Sequence, residues 1–149
     1  MVKQRYFEDL KRGARFKSKT YHLTKRQIIA FSREFDPQPF HLDLAVARKT
    51  LLAGLTASGW HTAAITMRLF VQTLNFAKGA IGLGVDRLRW PSPVRPGDVL
   101  QVETRIVRLR VSRSKPRYGI LRLRNVTANQ SGEIVQTMMA SALVLRRKR

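Results

Sequence analysis

The sequence predicts an α+β domain in which a curved, five-stranded antiparallel sheet wraps one long helix, and three observations predict it. Apolar residues recur at helical spacing through the first half of the chain. After Gly79 the pattern changes to strand-like alternation, broken by turns rich in Pro, Gly and Asn. One helical stretch, beginning at Trp60, is long and apolar enough to need a sheet folded over it. No Pro/Gly/Ser linker, repeat or low-complexity stretch divides the 149 residues, so residues 1–149 are expected to form one domain.

From the N-terminus, a short strand is expected near Ala14 to His22. Thr24 followed by Gln27 is a capping-box start, and Ile28, Ile29, Phe31, Ser32 and Phe35 continue at helical spacing until Asp36-Pro37 stops them. The prolines of Asp36-Pro37-Gln38-Pro39-Phe40-His41 are expected to hold that segment out of helix and sheet. Asp43 can cap a short helix over Leu44 to Arg48. In the long helix, Trp60, Ala63, Ala64, Met67, Phe70, Val71 and Leu74 form the apolar stripe expected to be buried, opposite Arg68, Gln72 and Asn75. Gly54 and Gly59 flank the loop leading into it.

Strands are expected over Ile81 to Trp90, Val99 to Val111, Tyr118 to Ala128 and Ile134 to Leu145. The alternation changes phase within two of them, from Ile81/Leu83/Val85 to Leu88/Trp90 and from Leu100/Val102/Ile106 to Val107/Leu109/Val111. Bulges or strong twist are expected there.

The chain has no cysteine, which excludes disulfides, thiolate metal sites and cysteine nucleophiles and makes a reducing cytoplasm the natural compartment. No apolar run is long enough to span a membrane, and MVKQRYFEDLKRG lacks an apolar signal core. Against 9 Asp+Glu stand 29 Lys+Arg, a net charge of +20. Such a balance favours polyanions, whether nucleic acid or the phosphates of a smaller ligand. Arg105, Arg108, Arg110, Arg113, Arg117, Arg122, Arg124 and Arg146 to Arg149 mostly alternate with apolar residues, which reads as a solvated sheet face and its ends. Helix-turn-helix, zinc and RNA-sheet signatures are missing, so a nucleic-acid partner is not expected.

Asp36 and His41 can point into one shared space, where a carboxylate and an imidazole form a general acid/base pair. Spacing alone favours a plainer reading: a helix-ending Asp-Pro turn and a satisfied loop histidine. The wider pattern adds to it. Phe35-Asp36-Pro37-Gln38-Pro39-Phe40-His41, the helix before it, and Ala57-Ser58-Gly59-Trp60 after it resemble the D-x-N-P-x-H motif region of MaoC-like, (R)-specific enoyl-CoA hydratases. The resemblance runs from about Tyr6 to Leu145 and includes the turn Trp90-Pro91-Ser92-Pro93-Val94-Arg95-Pro96-Gly97-Asp98.

That resemblance implies a hot-dog fold, a homodimer or higher oligomer, and hydration of a trans-2-enoyl-CoA thioester. Asp36 and His41 would be the catalytic pair, and Gly59 would present its backbone N–H to the thioester oxygen, with Ser58 beside it. Gln38 stands where the family has Asn, and its amide would hold the loop. No cofactor is implied beyond the coenzyme A of the substrate, and no metal. Trp60 is expected in the core, and His61 as a polar neighbour. Arg89, Arg95, Arg113 and Lys115 are candidates for the coenzyme A phosphates. Thioester hydrolysis on the same fold is the alternative chemistry, and a basic nucleic-acid-binding protein or a catalytically idle subunit the alternatives without chemistry.

Overall fold

Leu100, Val102, Thr104 and Ile106 are buried while their neighbours are half-buried or exposed, the period of two that makes Val99–Val111 a strand with one face on the core. The same alternation turns Gly119, Leu121, Leu123, Asn125 and Thr127 inward along Tyr118–Ala128. A computed structural model describes residues 3–148. Its strands are β1 (Arg15–Lys17), β2 (Tyr21–His22), β3 (Ala80–Arg89), β4 (Val99–Val111), β5 (Tyr118–Ala128) and β6 (Ile134–Leu145). Its helices are α1 (Lys25–Phe35), α2 (Pro39–Leu42), α3 (Leu44–Arg48) and α4 (Gly59–Leu74), preceded by a 3-10 turn at Phe7–Asp9.

All strand pairs are antiparallel, in the order β1-β4-β5-β6-β3, with β2 also on β4. The sheet therefore has six strands, where five were expected. The single strand read over Ala14 to His22 is cut in two at Ser18. This residue is buried, and its hydroxyl accepts the hydrogen bond of the Val102 N–H at 2.9 Å, so a side chain replaces one rung of the ladder. The expected phase changes are register shifts, between Ile106 and Arg108 in β4 and at Gly82/Gly84 and Asp86/Arg89 in β3.

Helix α4 lies against the sheet through Ile65 and Leu69, which join Leu23, Ile28, Leu100 and Val135 in one apolar cluster. Phe70 and Leu74 join Ile106, Leu121 and Leu123 in a second. The buried stripe is only in part the one that periodicity picks out, sharing Phe70 and Leu74 with it. His61, Thr62, Ile65, Thr66, Leu69, Phe70 and Leu74 are buried, while Trp60, Met67 and Val71 are 60, 47 and 52 % exposed. The helix is apolar on more than one side, and the sheet covers the side that also carries hydroxyls. Met67 and Val71 border a groove with Val85 of β3, whose Ile81, Leu83 and Val85 are exposed as well.

Gly119 of β5 lies directly beneath the half-buried ring of Phe7, and a Cβ there would overlap ring carbons. Gly119→Ala is expected to cost about 1–3 kcal/mol of stability in denaturant unfolding. In a double-mutant cycle Phe7→Ala should remove most of that cost, and additive losses would show that the contact is not the cause.

Candidate active site

Helix α1 begins as its sequence requires: Thr24 Oγ1 accepts from the Gln27 N–H at 3.2 Å, and Gln27 Oε1 accepts from the Thr24 N–H at 2.9 Å. It ends at Asp36, whose N–H reaches back to the Ser32 carbonyl. The proline-framed segment is not free of helix, as had been expected. Pro39 opens the single turn α2, where its missing N–H is no loss, and the His41 N–H donates to the Gln38 carbonyl at 3.0 Å. That turn swings the His41 ring inward. Asp43 then caps α3, with Oδ1 accepting from the N–H groups of Ala45 and Val46.

His41 Nδ1 lies 2.6 Å from the Thr56 carbonyl oxygen. A carbonyl can only accept, so Nδ1 carries the proton and Nε2 is turned the other way, 3.3 Å from Asp36 Oδ2. The two side chains are only 7 and 17 % exposed. Asp36 Oδ1 accepts from Gln38 Nε2 at 2.7 Å, and the Ser58 side chain also hydrogen-bonds the carboxylate. Burial works to raise the Asp36 pKa. The hydrogen bonds from Ser58 and Gln38 and the nearby His41 charge outweigh it, leaving the carboxyl below its ordinary value. Nε2 and Oδ2 can thus hold a single donor such as a water between them, or share the proton of an imidazolium.

Ser58 is the N-cap of α4 and is fully buried; its Oγ accepts from the Trp60 N–H at 3.3 Å. The N–H groups of His61 and Thr62 both turn to the Ser58 carbonyl. Among the described residues the Gly59 N–H has no hydrogen-bond partner, and it sits at the positive end of a 16-residue helix. Gly59 has to be glycine for a steric reason. A Cβ would fall 2.5–2.8 Å from the Trp90 indole, which packs flat against the helix start.

A cleft of about 310 Å³ opens here, with His41, Thr56, Gly59, Thr62, Trp90 and Val135 among its walls. Of the sequence-predicted site residues, His41 and Gly59 face this cleft. Asp36, Gln38 and Ser58 are not in its wall and join it through hydrogen bonds and the contact with His41. The Thr56 carbonyl was not foreseen, because a backbone acceptor carries no residue signature. Trp60, expected in the core, meets Trp90 edge-on at 5.4 Å on the outside of the helix. His61 is the buried residue instead, stacked on Phe31 at 4.4 Å, and burial lowers its pKa.

Arg95 lies in the loop beside the cleft and spends its guanidinium on the Leu52 carbonyl at 2.7 Å. Arg113 and Lys115 lie beyond the opposite end of β4, a 13-residue strand, about 40 Å along the chain from the Arg95–Asp98 turn. Neither is among the residues that line the cleft. Arg89 is exposed at the end of β3. The solvated arginine face exists: Arg105 is paired across the strands with Arg124, and Arg108 with Arg122. Arg122 is bound by Asp86, and at the chain end Arg146 and Arg147 pair with Glu8 and Asp9. Arg149 lies outside the described residues.

Residues 9–130 match the family model described as the MaoC like domain. The chain belongs to that family. It is similar to a MaoC-like dehydratase from Rhodospirillum rubrum, 50 % identical with a TM-score of 0.91, over 97 % of this chain and 99 % of that one. A second solved structure, R-hydratase PhaJ1 from Pseudomonas aeruginosa, is 26 % identical with a TM-score of 0.79, over 95 % of this chain and 86 % of that one. Among curated proteins, the uncharacterized protein YdeM of Bacillus subtilis is 32 % identical over 119 residues, 79 % of this chain and 83 % of its own length. The fold is the hot-dog fold of these MaoC-like neighbours, with α4 as the central helix.

Removing the Gln38 amide takes away a hydrogen bond that favours ionised Asp36. Gln38→Ala is therefore expected to raise the Asp36 pKa, read as an upward shift in the carboxyl carbon titration by NMR. An unmoved titration would contradict the assignment of that bond. The stability that ionised Asp36 contributes is present above its unfolded pKa and is lost as the pH falls through the depressed folded value, so in the variant the contribution is smaller and its loss is complete at a higher pH.

Proposed function

We propose that the protein is an (R)-specific enoyl-CoA hydratase, running also as a 3-hydroxyacyl-CoA dehydratase, with Asp36 and His41 as its acid/base pair. The observation that carries the reading is the fixed ring of His41. With Nδ1–H committed to Thr56, Nε2 and Asp36 Oδ2 present two acceptors 3.3 Å apart, beside a cleft whose wall also includes Gly59. A water donating to both would be poised to lose a proton.

In this reading the pair takes that proton as the water oxygen bonds to C3 of a trans-2-enoyl thioester. The π electrons move onto the thioester oxygen, where the Gly59 N–H and the α4 terminus stabilise the charge. The enolate then collapses, C2 takes a proton from the same pair, and one molecule of water has been added. Because the pair stands on one side of the cleft, both additions occur on one face of the substrate. The likeness to an R-hydratase supports the (R) hand. Asp36, ionised at neutral pH by its depressed pKa, suits the accepting role. No cofactor enters beyond the coenzyme A that the substrate brings.

The proposed partner is a second copy of the chain. The exposed Trp60, Met67 and Val71 of α4 and Ile81, Leu83 and Val85 of the edge strand β3 form an apolar margin that a homodimer would cover. Among the described residues no helix is long and apolar enough to cross a membrane. A cytoplasmic enzyme is the compartment this reading takes.

With crotonyl-CoA, the enoyl absorbance is expected to fall on addition of the protein, without release of free thiol. Asp36→Asn and His41→Ala should each lower kcat/KM by roughly 10²–10⁴. Thiol release with the enoyl band intact would instead establish a thioesterase, and full activity in both variants would remove the pair from the chemistry.

A further inference from the structure

Two cavities lie along α4, with a hydrogen-bonded wall between them. The first is the cleft of His41 and Gly59, with Thr62, Trp90 and Val135 among its walls. The second, about 110 Å³, is the largely apolar groove described above, open to the outside between Met67, Val71 and Val85 and lined deeper by Phe70, Leu123, Met138, Ala140 and Ala142. Thr66 stands one helical turn after Thr62 and one before Phe70, between the two.

The wall is a continuous chain of polar groups. Trp90 Nε1 donates to Gln136 Oε1 at 2.9 Å, Gln136 Nε2 donates to Thr66 Oγ1 at 3.1 Å, and Thr66 Oγ1 meets Thr127 Oγ1 at 2.7 Å. Gln136 Nε2 also lies 3.7 Å from Met138 Sδ, so Gln136 touches a wall residue of each cavity. Gln136, Thr66 and Thr127 are all 0 % exposed. Gln136 faces inward in step with Met138 and Ala142, and a register shift in the β5–β6 ladder lies just beyond it. Thr127 pairs with Gln136 but Ala128 with Ile134, so Val135 is the extra residue, and it is buried along with Gln136.

An acyl chain entering past His41 and running inward along α4 reaches this wall before it can reach the apolar cavity. To pass, an alkyl tail would have to part the Gln136–Thr66 bond and leave buried donors and acceptors with nothing in exchange. We propose that the Trp90–Gln136–Thr66–Thr127 chain is an acyl-length stop, which restricts the protein to short acyl thioesters such as crotonyl and shuts off an apolar cavity that could otherwise take a longer tail. This rests on the hydratase reading for the identity of the substrate, and on geometry alone for the position of the stop. Gln136 and Thr66 act as specificity-determining residues that touch no reacting atom.

The test compares crotonyl-CoA with trans-2-octenoyl-CoA. Wild type should favour crotonyl in kcat/KM by on the order of 100-fold. Gln136→Ala, and separately Thr66→Ala, should move that ratio toward octenoyl by at least about tenfold, whereas mere loss of packing would lower both substrates together. Equal use of both thioesters by wild type, or a ratio unmoved in both variants, overturns the stop. If wild type hydrates neither thioester, the hydratase reading fails and the stop is judged by calorimetric binding of butyryl-CoA and octanoyl-CoA. Octanoyl-CoA binding gained by the variants relative to butyryl-CoA upholds it; an unchanged ratio, or no binding of either, overturns it. Should Gln136→Ala not fold, Thr66→Ala and the wild-type profile decide.

Discussion

The bond from His41 Nδ1–H to the Thr56 carbonyl is the constraint on which the rest of the site depends. It settles which ring nitrogen carries the proton, and thereby which nitrogen confronts Asp36. Thr56 can play this part because its own strand of chain is pinned: the next residue, Ala57, donates its N–H to the Val94 carbonyl at 2.8 Å. Two residues further on, Ser58 holds Asp36 with its side chain and caps α4 with the same oxygen. Gly59 then offers an N–H that has no hydrogen-bond partner among the described residues. Four consecutive residues thus fix the tautomer, the carboxylate and the anion-stabilising helix end in one frame, so that none can shift without the others.

This frame is built where the core is most polar. Ser58, Thr62, Thr66, Thr127 and Gln136 are all buried, and none belongs to either of the two apolar clusters. Buried hydroxyls and amides contribute little net stability when satisfied and cost much when they are not. Their value here is definition. Each has one geometry that meets its needs, and together they set the distance between helix and sheet more sharply than side chains of interchangeable shape would.

Much of this was legible in the sequence, and what was legible was local. The Thr24/Gln27 capping box, the Asp36-Pro37 stop, the phase changes in β3 and β4 and the pairing of Asp36 with His41 all follow from residues close together in the chain. What failed needed a distant partner. Periodicity placed Trp60, Met67 and Val71 inside, because it ranks faces of a helix by hydrophobicity and cannot tell which face the sheet will cover. Ser18 split a strand by bonding to Val102, 84 residues away. The burial of Val135 beside Gln136 depends on a bulge opposite Ala128, and the Thr56 carbonyl, being backbone, has no letter in the sequence.

The arginine face of the sheet gives the molecule a dependence on its surroundings. Arg105 and Arg124 stand directly opposite each other, as do Arg108 and Arg122, and Arg15 stands opposite Arg105 on the other side. Like charges in that position work against the ladder that holds them. Asp86 relieves one and Glu103 reaches Arg15, but Arg105, Arg108 and Arg124 form no ion pair among the described residues. What remains must be met by ions from solution, whose screening reaches over about 8 Å at physiological salt. Dissolved anions are in that sense part of the sheet's electrostatic balance, and dilution of salt strengthens the repulsion between these strands.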